Sequence, residues 1–151
     1  MPLLTELGSG LFLFILSILI ILFRKKDNKR CGVLLLGGLT ATYYIVYFLK
    51  HTVGRPRPYL SLPDVHTLIK ESSFSFPSHH ATDAFMAAVI LTAFFKRRWV
   101  FFSLAVLVCF SRVYVGVHYV SDVAAGAVIG ILIGYALLKI SATYSGGKLS
   151  P

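Results

Sequence analysis

Five long apolar runs, roughly Leu3–Phe23, Cys31–Leu49, Ser78–Phe95, Trp99–Val117 and Tyr119–Ile140, leave this chain few ways to fold. A membrane-crossing helix needs about 17–25 residues at a rise of about 1.5 Å each, and every run is long enough. Inside hydrocarbon each backbone N–H and C=O must pair within the protein, which leaves helices or a closed barrel. Barrel strands need short segments of alternating polarity, whereas these runs are apolar on all sides. The chain is 56% hydrophobic and 14% charged, against about 25% charged residues in a soluble domain. Lipid is therefore the expected solvent. The expected fold is a single all-α domain over residues 1–151, a polytopic transmembrane helix bundle of about five spans. No basic stretch precedes the first run, so it is read as a retained span and not a cleaved leader.

The connections set the orientation. Arg24, Lys25, Lys26, Lys29 and Arg30 join the first two runs, and Lys96, Arg97 and Arg98 join the third and fourth. These loops share a side, and an excess of Lys and Arg in short loops marks the cytoplasmic side. The N-terminus is then outside and the C-terminus cytoplasmic. Lys50, Arg55, Arg57, Lys70 and Arg112 fall on the opposite side and need another explanation. The net charge of +9, from 15 basic and 6 acidic residues, suits a membrane surface better than nucleic acid in so apolar a chain. Cys31 and Cys109 lie at different depths and are read as small apolar residues without a disulfide.

Three clusters carry chemistry. The first runs from Lys50 to Pro58, where two prolines stiffen the backbone around Arg57. Arginine offers a planar fork to phosphate oxygens and lysine a point charge; a basic membrane-flanking loop is the plainer alternative. The second is Phe76-Pro77-Ser78-His79-His80, opening the third run. A helix N-terminus presents free N–H groups to an anion, though ordinary capping would use the same residues. The third holds Ser111, Arg112, His118 and Asp122. An arginine near a span end calls for an anion. His118 and Asp122, at i and i+4, share a helix face. The carboxylate can accept a hydrogen bond from one ring nitrogen, which fixes the tautomer and leaves the other nitrogen free to attack phosphorus. A buried structural ion pair is the alternative.

These three clusters, in this order, resemble the type 2 phosphatidic acid phosphatase superfamily. Its first motif, Lys-x6-Arg-Pro, is met by Lys50, Arg57 and Pro58; its second, Pro-Ser-Gly-His, appears as Pro77-Ser78-His79-His80. Its third, Ser-Arg-x5-His-x3-Asp, is met by Ser111, Arg112, His118 and Asp122. The resemblance covers residues 50–122 and the helices that frame them. It implies that His118 attacks phosphorus and becomes a phosphohistidine, that Asp122 orients it, and that His80 protonates the leaving oxygen. It further implies that Lys50, Arg57, Arg112, Ser78 and the main-chain N–H of His79 hold the phosphate, with no metal and no cofactor. His79 stands where the family usually has glycine, and the first motif follows the second span and not the third, one span short of the family's common six.

The expected function is hydrolysis of a phosphate monoester or diphosphate on a membrane lipid, with the site on the extracytoplasmic face of a bacterial cell membrane. Lipid A 1-phosphate and undecaprenyl pyrophosphate are favoured, with phosphatidylglycerol phosphate and phosphatidic acid next. A lipid phosphotransferase would use the same histidine chemistry. A non-enzymatic lipid-binding or transport protein is the rival from another class, but it leaves the one-sided cluster unexplained. A metal or haem protein would use His79, His80, His118 and Asp122, but the nearby cations would repel a metal ion. Asp83, one turn below His80, has three readings: tuning His80, pairing with a basic residue, or joining two helices. Residues 59–76 are read as either a short interfacial helix around Val65–Ile69 or an irregular loop. Oligomeric state is not legible.

Overall fold

A computed structural model describes residues 8–24, 26–65, 67, 69 and 71–144, with the side chains of 26 and 27 left aside. The described residues form helices and no strand: α1 (Gly10–Phe23), α2 (Lys26–Val53), α3 (Pro58–Ser61), α4 (His79–Phe95), α5 (Arg98–Tyr114) and α6 (Val120–Tyr144). The long helices coincide with the five apolar runs, and residues 3–7 of the first run lie outside the described part. Two of these helices, α2 and α6, are long and apolar enough to cross a bilayer.

The helix α4 is the axis of the bundle. Most of its length from Ala81 to Leu91 is buried. On one side Met86, Ala87, Ile90 and Leu91 pack with Leu13 and Ile20 of α1 and Cys31 and Leu35 of α2. On another, Ala84 and Ala88 meet Ala105 and Val108 of α5. The outward faces are also apolar: Leu22, Phe48, Phe110 and Leu132 are all exposed. A water-soluble bundle would present charge there; lipid accepts these side chains without cost.

The contact between α4 and α6 has its own device. A Cβ placed on Gly126, Gly130 or Gly134 would come within 3 Å of α4, and at Gly130 within 2.2 Å of the Thr82 carbonyl oxygen. Three glycines one turn apart thus let two backbones touch, as small residues do between membrane helices. The approach is sealed at its end where Ser78 N–H donates to the Asp122 carbonyl at 3.1 Å. It brings the second cluster beside the third.

Both basic connections lie at the other end. Arg24 sits over the Phe95 ring at 5.6 Å, and Arg30 Nε donates to Ser141 Oγ at 2.6 Å. The connection between α2 and α4 opens with a helical turn at Pro58–Ser61, and the helix read around Val65–Ile69 lies partly outside the described residues. There, residues 62–65, 67 and 69 are irregular, and His66, Leu68 and Lys70 lie outside the described residues.

Candidate active site

Every ion pair among the described residues lies at the end of the bundle that carries the three clusters. Lys50 arrives on the last turn of α2, Arg57 on the extended segment before α3, and Arg112 on the last turn of α5. His118 stands in the tight connection to α6, and Asp122 in the first turn of α6. His118 Nδ1 faces Asp122 Oδ2 across 3.5 Å, longer than a closed hydrogen bond, and this buried nitrogen has no hydrogen-bond partner. The same Oδ2 accepts from Tyr119 N–H at 3.0 Å. That leaves Nε2 as the outward nitrogen of the ring, 3.4 Å from Arg57 Nη1.

Arg57 is held from several directions. Its Nε donates to the Ser73 carbonyl at 2.7 Å, Nη1 to the Val117 carbonyl at 3.0 Å, and Nη2 to Ser73 Oγ at 3.0 Å. Lys50 Nζ donates to the Phe74 carbonyl. The 71–75 strip thereby ties α2 to the α5–α6 connection. Arg57 and Arg112 are each only 1% exposed. A buried guanidinium needs an anion, and both find Glu71: Arg57 Nη2 lies 2.6 Å from Oε2, and Arg112 Nη2 meets Oε1. Burial raises the Glu71 carboxyl, but the two guanidiniums outweigh it and hold it below the usual carboxylate range.

Sequence reasoning missed two members of this site. Glu71 lies outside every motif. Arg55 was seen as one more basic residue, yet its Nη1 is 2.7 Å from Asp122 Oδ1 and its guanidinium lies over the Tyr119 ring at 3.8 Å. One signal was available: six acidic residues face 15 basic ones, so a carboxylate near the basic cluster must find a cation.

The second cluster is split by direction. Ser78 caps α4 without a side-chain bond to it, and its Oγ is buried and unpartnered, as is Arg112 Nε. His80 is half-buried, close enough to Arg112, Glu71 and His118 to feel their charges. The His79 side chain turns the other way: its Nε2 is 3.7 Å from Asp83 Oδ2. Asp83 in turn accepts from Thr42 Oγ1 of α2 at 2.5 Å. Of the three readings of Asp83, the polar contact between helices is the one with a hydrogen bond, to Thr42 of α2. A cleft of about 240 Å³ opens beside this pair, lined by Phe14, Leu39, Tyr43, His79, His80 and Asp83.

Burial pushes the His118 imidazole below the ordinary histidine value. Asp122 pulls it back up, and Arg57, Arg112 and Lys50 push it down again. Its Nε2 sits beside the Arg57 guanidinium. Among the described residues no group of three or more His, Cys, Asp or Glu side chains is placed to hold a metal ion.

Such a site defines a class: a helical bundle, among the described residues, with two buried guanidiniums joined by a carboxylate, one of them against an imidazole. Comparison with known proteins narrows this. The PAP2 superfamily model matches residues 31–145, and the chain belongs to that superfamily. It is 35% identical over 144 residues to phosphatidylglycerophosphatase B of Bacillus subtilis, covering 85% of this chain and 68% of that protein. It is 35% identical to the undecaprenyl-diphosphatase BcrC of the same organism, over 78% of this chain and 59% of that one. Its identity to a lipid A 4'-phosphatase of Porphyromonas gingivalis is 28%, over 83% and 58%. The chain therefore spans between 58% and 68% of the length of these relatives. Among solved structures, Aquifex aeolicus LpxE superposes with a TM-score of 0.81 at 35% identity, over 90% of this chain and 81% of that one. The transmembrane PAP2 type phosphatidylglycerolphosphate phosphatase of Bacillus subtilis gives 0.79 at 32%, over 93% and 74%.

Proposed function

We propose that this chain is an integral membrane lipid phosphatase that works through a phosphohistidine on His118. The observation that carries the reading is the position of His118 Nε2, 3.4 Å from Arg57 Nη1 with Asp122 behind the other nitrogen. A phosphoryl group held by Arg57 and Arg112 lies next to that nitrogen. In-line attack forms the N–P bond as the lipid oxygen leaves, and His80 supplies its proton. Water, deprotonated by His80, then displaces His118 and frees phosphate. Asp122 stabilises the imidazolium-like ring. Lys50, Arg57, Arg112, Ser78 and the His79 main-chain N–H hold the equatorial oxygens as charge redistributes.

The unpartnered Ser78 Oγ and Arg112 Nε support the clamp role. The cleft between α1, α2 and α4 supports a substrate that arrives sideways from the bilayer, with its headgroup at the helix ends. Five spans are the reading that places the apolar helices in lipid. The two basic connections share one end, which the positive-inside rule makes cytoplasmic, so the site faces the extracytoplasmic side of a bacterial cell membrane. The names of the relatives favour lipid A phosphate, undecaprenyl diphosphate and phosphatidylglycerol phosphate over phosphatidic acid.

The test is phosphate release in detergent from these four lipids, with and without chelator, by the wild type and His118→Ala. Chelator-insensitive release that His118→Ala lacks supports the reading. Release that survives in His118→Ala overturns the nucleophile, and no release from any lipid by folded protein overturns the activity.

A further inference from the structure

We propose that Glu71 is an internal competitor for the phosphate clamp and thereby selects headgroups. Dianionic phosphomonoesters and diphosphates displace it, and the singly charged phosphodiesters of the bulk bilayer do not. The proposal rests on the phosphatase reading above and deepens it.

The geometry is that of a bound anion. One carboxylate oxygen of Glu71 is on each buried guanidinium, and Arg57 also touches His118 Nε2. A phosphoryl group within reach of that nitrogen needs the same N–H donors, so the carboxylate must leave before substrate is seated. Departure is feasible for the side chain alone. Glu71 is 26% exposed, in an irregular strip beside an open groove lined by Tyr59, Leu60 and Ser72. Its backbone stays fixed, because Tyr59 Oη donates to the Glu71 carbonyl at 2.8 Å and accepts from its N–H at 3.3 Å. The competitor is therefore always at hand, at the high effective concentration of a tethered group.

Charge and valence then discriminate. Four cations, Lys50, Arg55, Arg57 and Arg112, surround two carboxylates, Glu71 and Asp122. A phosphodiester brings one negative charge and two free oxygens, no more than Glu71 already supplies. A phosphomonoester dianion brings two charges and a third oxygen. Glu71 leaves buried donors unused, Ser78 Oγ and Arg112 Nε, and only the third oxygen gives them a partner. An enzyme dissolved in phosphodiester lipid gains from such a filter, since the bulk lipid would otherwise occupy its clamp.

The test uses the full chain in detergent as wild type, Glu71→Gln and Tyr59→Phe. Binding of inorganic phosphate is measured directly near pH 7.5, and turnover of phosphatidic acid is measured with rising phosphatidylglycerol. Removing the competitor should tighten phosphate binding about tenfold or more, because the open clamp is no longer a minor state. Phosphatidylglycerol should become an inhibitor of Glu71→Gln while barely affecting the wild type. Tyr59→Phe, which loosens the tether, should shift both readouts the same way by less, and it decides the matter if Glu71→Gln does not fold. Phosphate binding that is unchanged or weaker in Glu71→Gln overturns the proposal and makes Glu71 a strut for the arginines. If neither the wild type nor the variants bind phosphate, the clamp reading itself falls, an outcome distinct from equal binding by all.

Discussion

Arg55 Nη1 lies 2.7 Å from Asp122 Oδ1, while the other oxygen of that carboxylate faces His118 at 3.5 Å. Asp122 is thus shared between an imidazole and a guanidinium. Arg55 touches no group assigned to the phosphate; it acts through Asp122. Arg55→Gln should lower kcat roughly tenfold, the scale on which groups behind a functional histidine act, with little change in KM. Arg55→Lys should restore part of the loss. A rise in KM without a fall in kcat would place Arg55 on the substrate.

The proposed mechanism needs a neutral His118, and burial holds its imidazole below the ordinary histidine value; Asp122 opposes this, and Arg57, Arg112 and Lys50 add to it. The acid limb of kcat/KM should therefore fall below about pH 6.5. Removing a nearby cation favours the protonated ring, so Lys50→Met and Arg57→Gln should move that limb upward. A pH–rate profile for each variant checks the sign.

Arg112 is buried, pairs with Glu71 and keeps an unpartnered Nε. Arg112→Lys retains charge but loses the planar fork. Turnover should drop on the order of 100-fold or more, as for other oxyanion donors. Thermal unfolding in detergent separates this from misfolding, since the folded fraction should remain.

Gly130 has no room for a side chain, because a Cβ would lie 2.2 Å from the Thr82 carbonyl. Gly130→Val should destabilise the bundle by at least the roughly 1–3 kcal/mol typical of overpacking. It should also abolish turnover, although residue 130 lies two turns from the nearest motif residue. Gly37, where a Cβ meets nothing within 4 Å, is the control: Gly37→Ala should leave both unfolding and activity near wild type.

Thr42 donates to the buried Asp83 carboxylate at 2.5 Å. Thr42→Val keeps the shape and removes the bond, leaving Asp83 with His79 at 3.7 Å. An unsatisfied buried polar group costs about 1–3 kcal/mol, so the unfolding temperature should fall while His118 chemistry persists.

Much of this protein was legible along the chain. The helices α2, α4, α5 and α6 fall where the apolar runs predict, because in lipid the backbone has little choice but to hydrogen-bond locally. The motif residues Lys50, Arg57, Ser78, Arg112, His118 and Asp122 end at one pole because each sits at the end of a run. His118 and Asp122 do face each other, but not along one helix: His118 stands in the connection before α6, and the tight turn at 115–119 turns it toward the first turn of the helix. Less legible was the 59–76 connection, where no periodic signal fixes the backbone and the helical turn formed at Pro58–Ser61.

The sequence by itself determined what local rules decide: helix positions and the gathering of the motif residues at helix ends. Tertiary structure alone decided the pairings between distant segments. Glu71 meets Arg112 across 41 residues and Asp122 meets Arg55 across 67, separations at which spacing carries no information. The choice of cation for each carboxylate was made where the 71–75 strip, the 55–57 segment, the last turn of α5 and the first turn of α6 come together. That meeting of segments distant in the chain fixes which charges can reach each other.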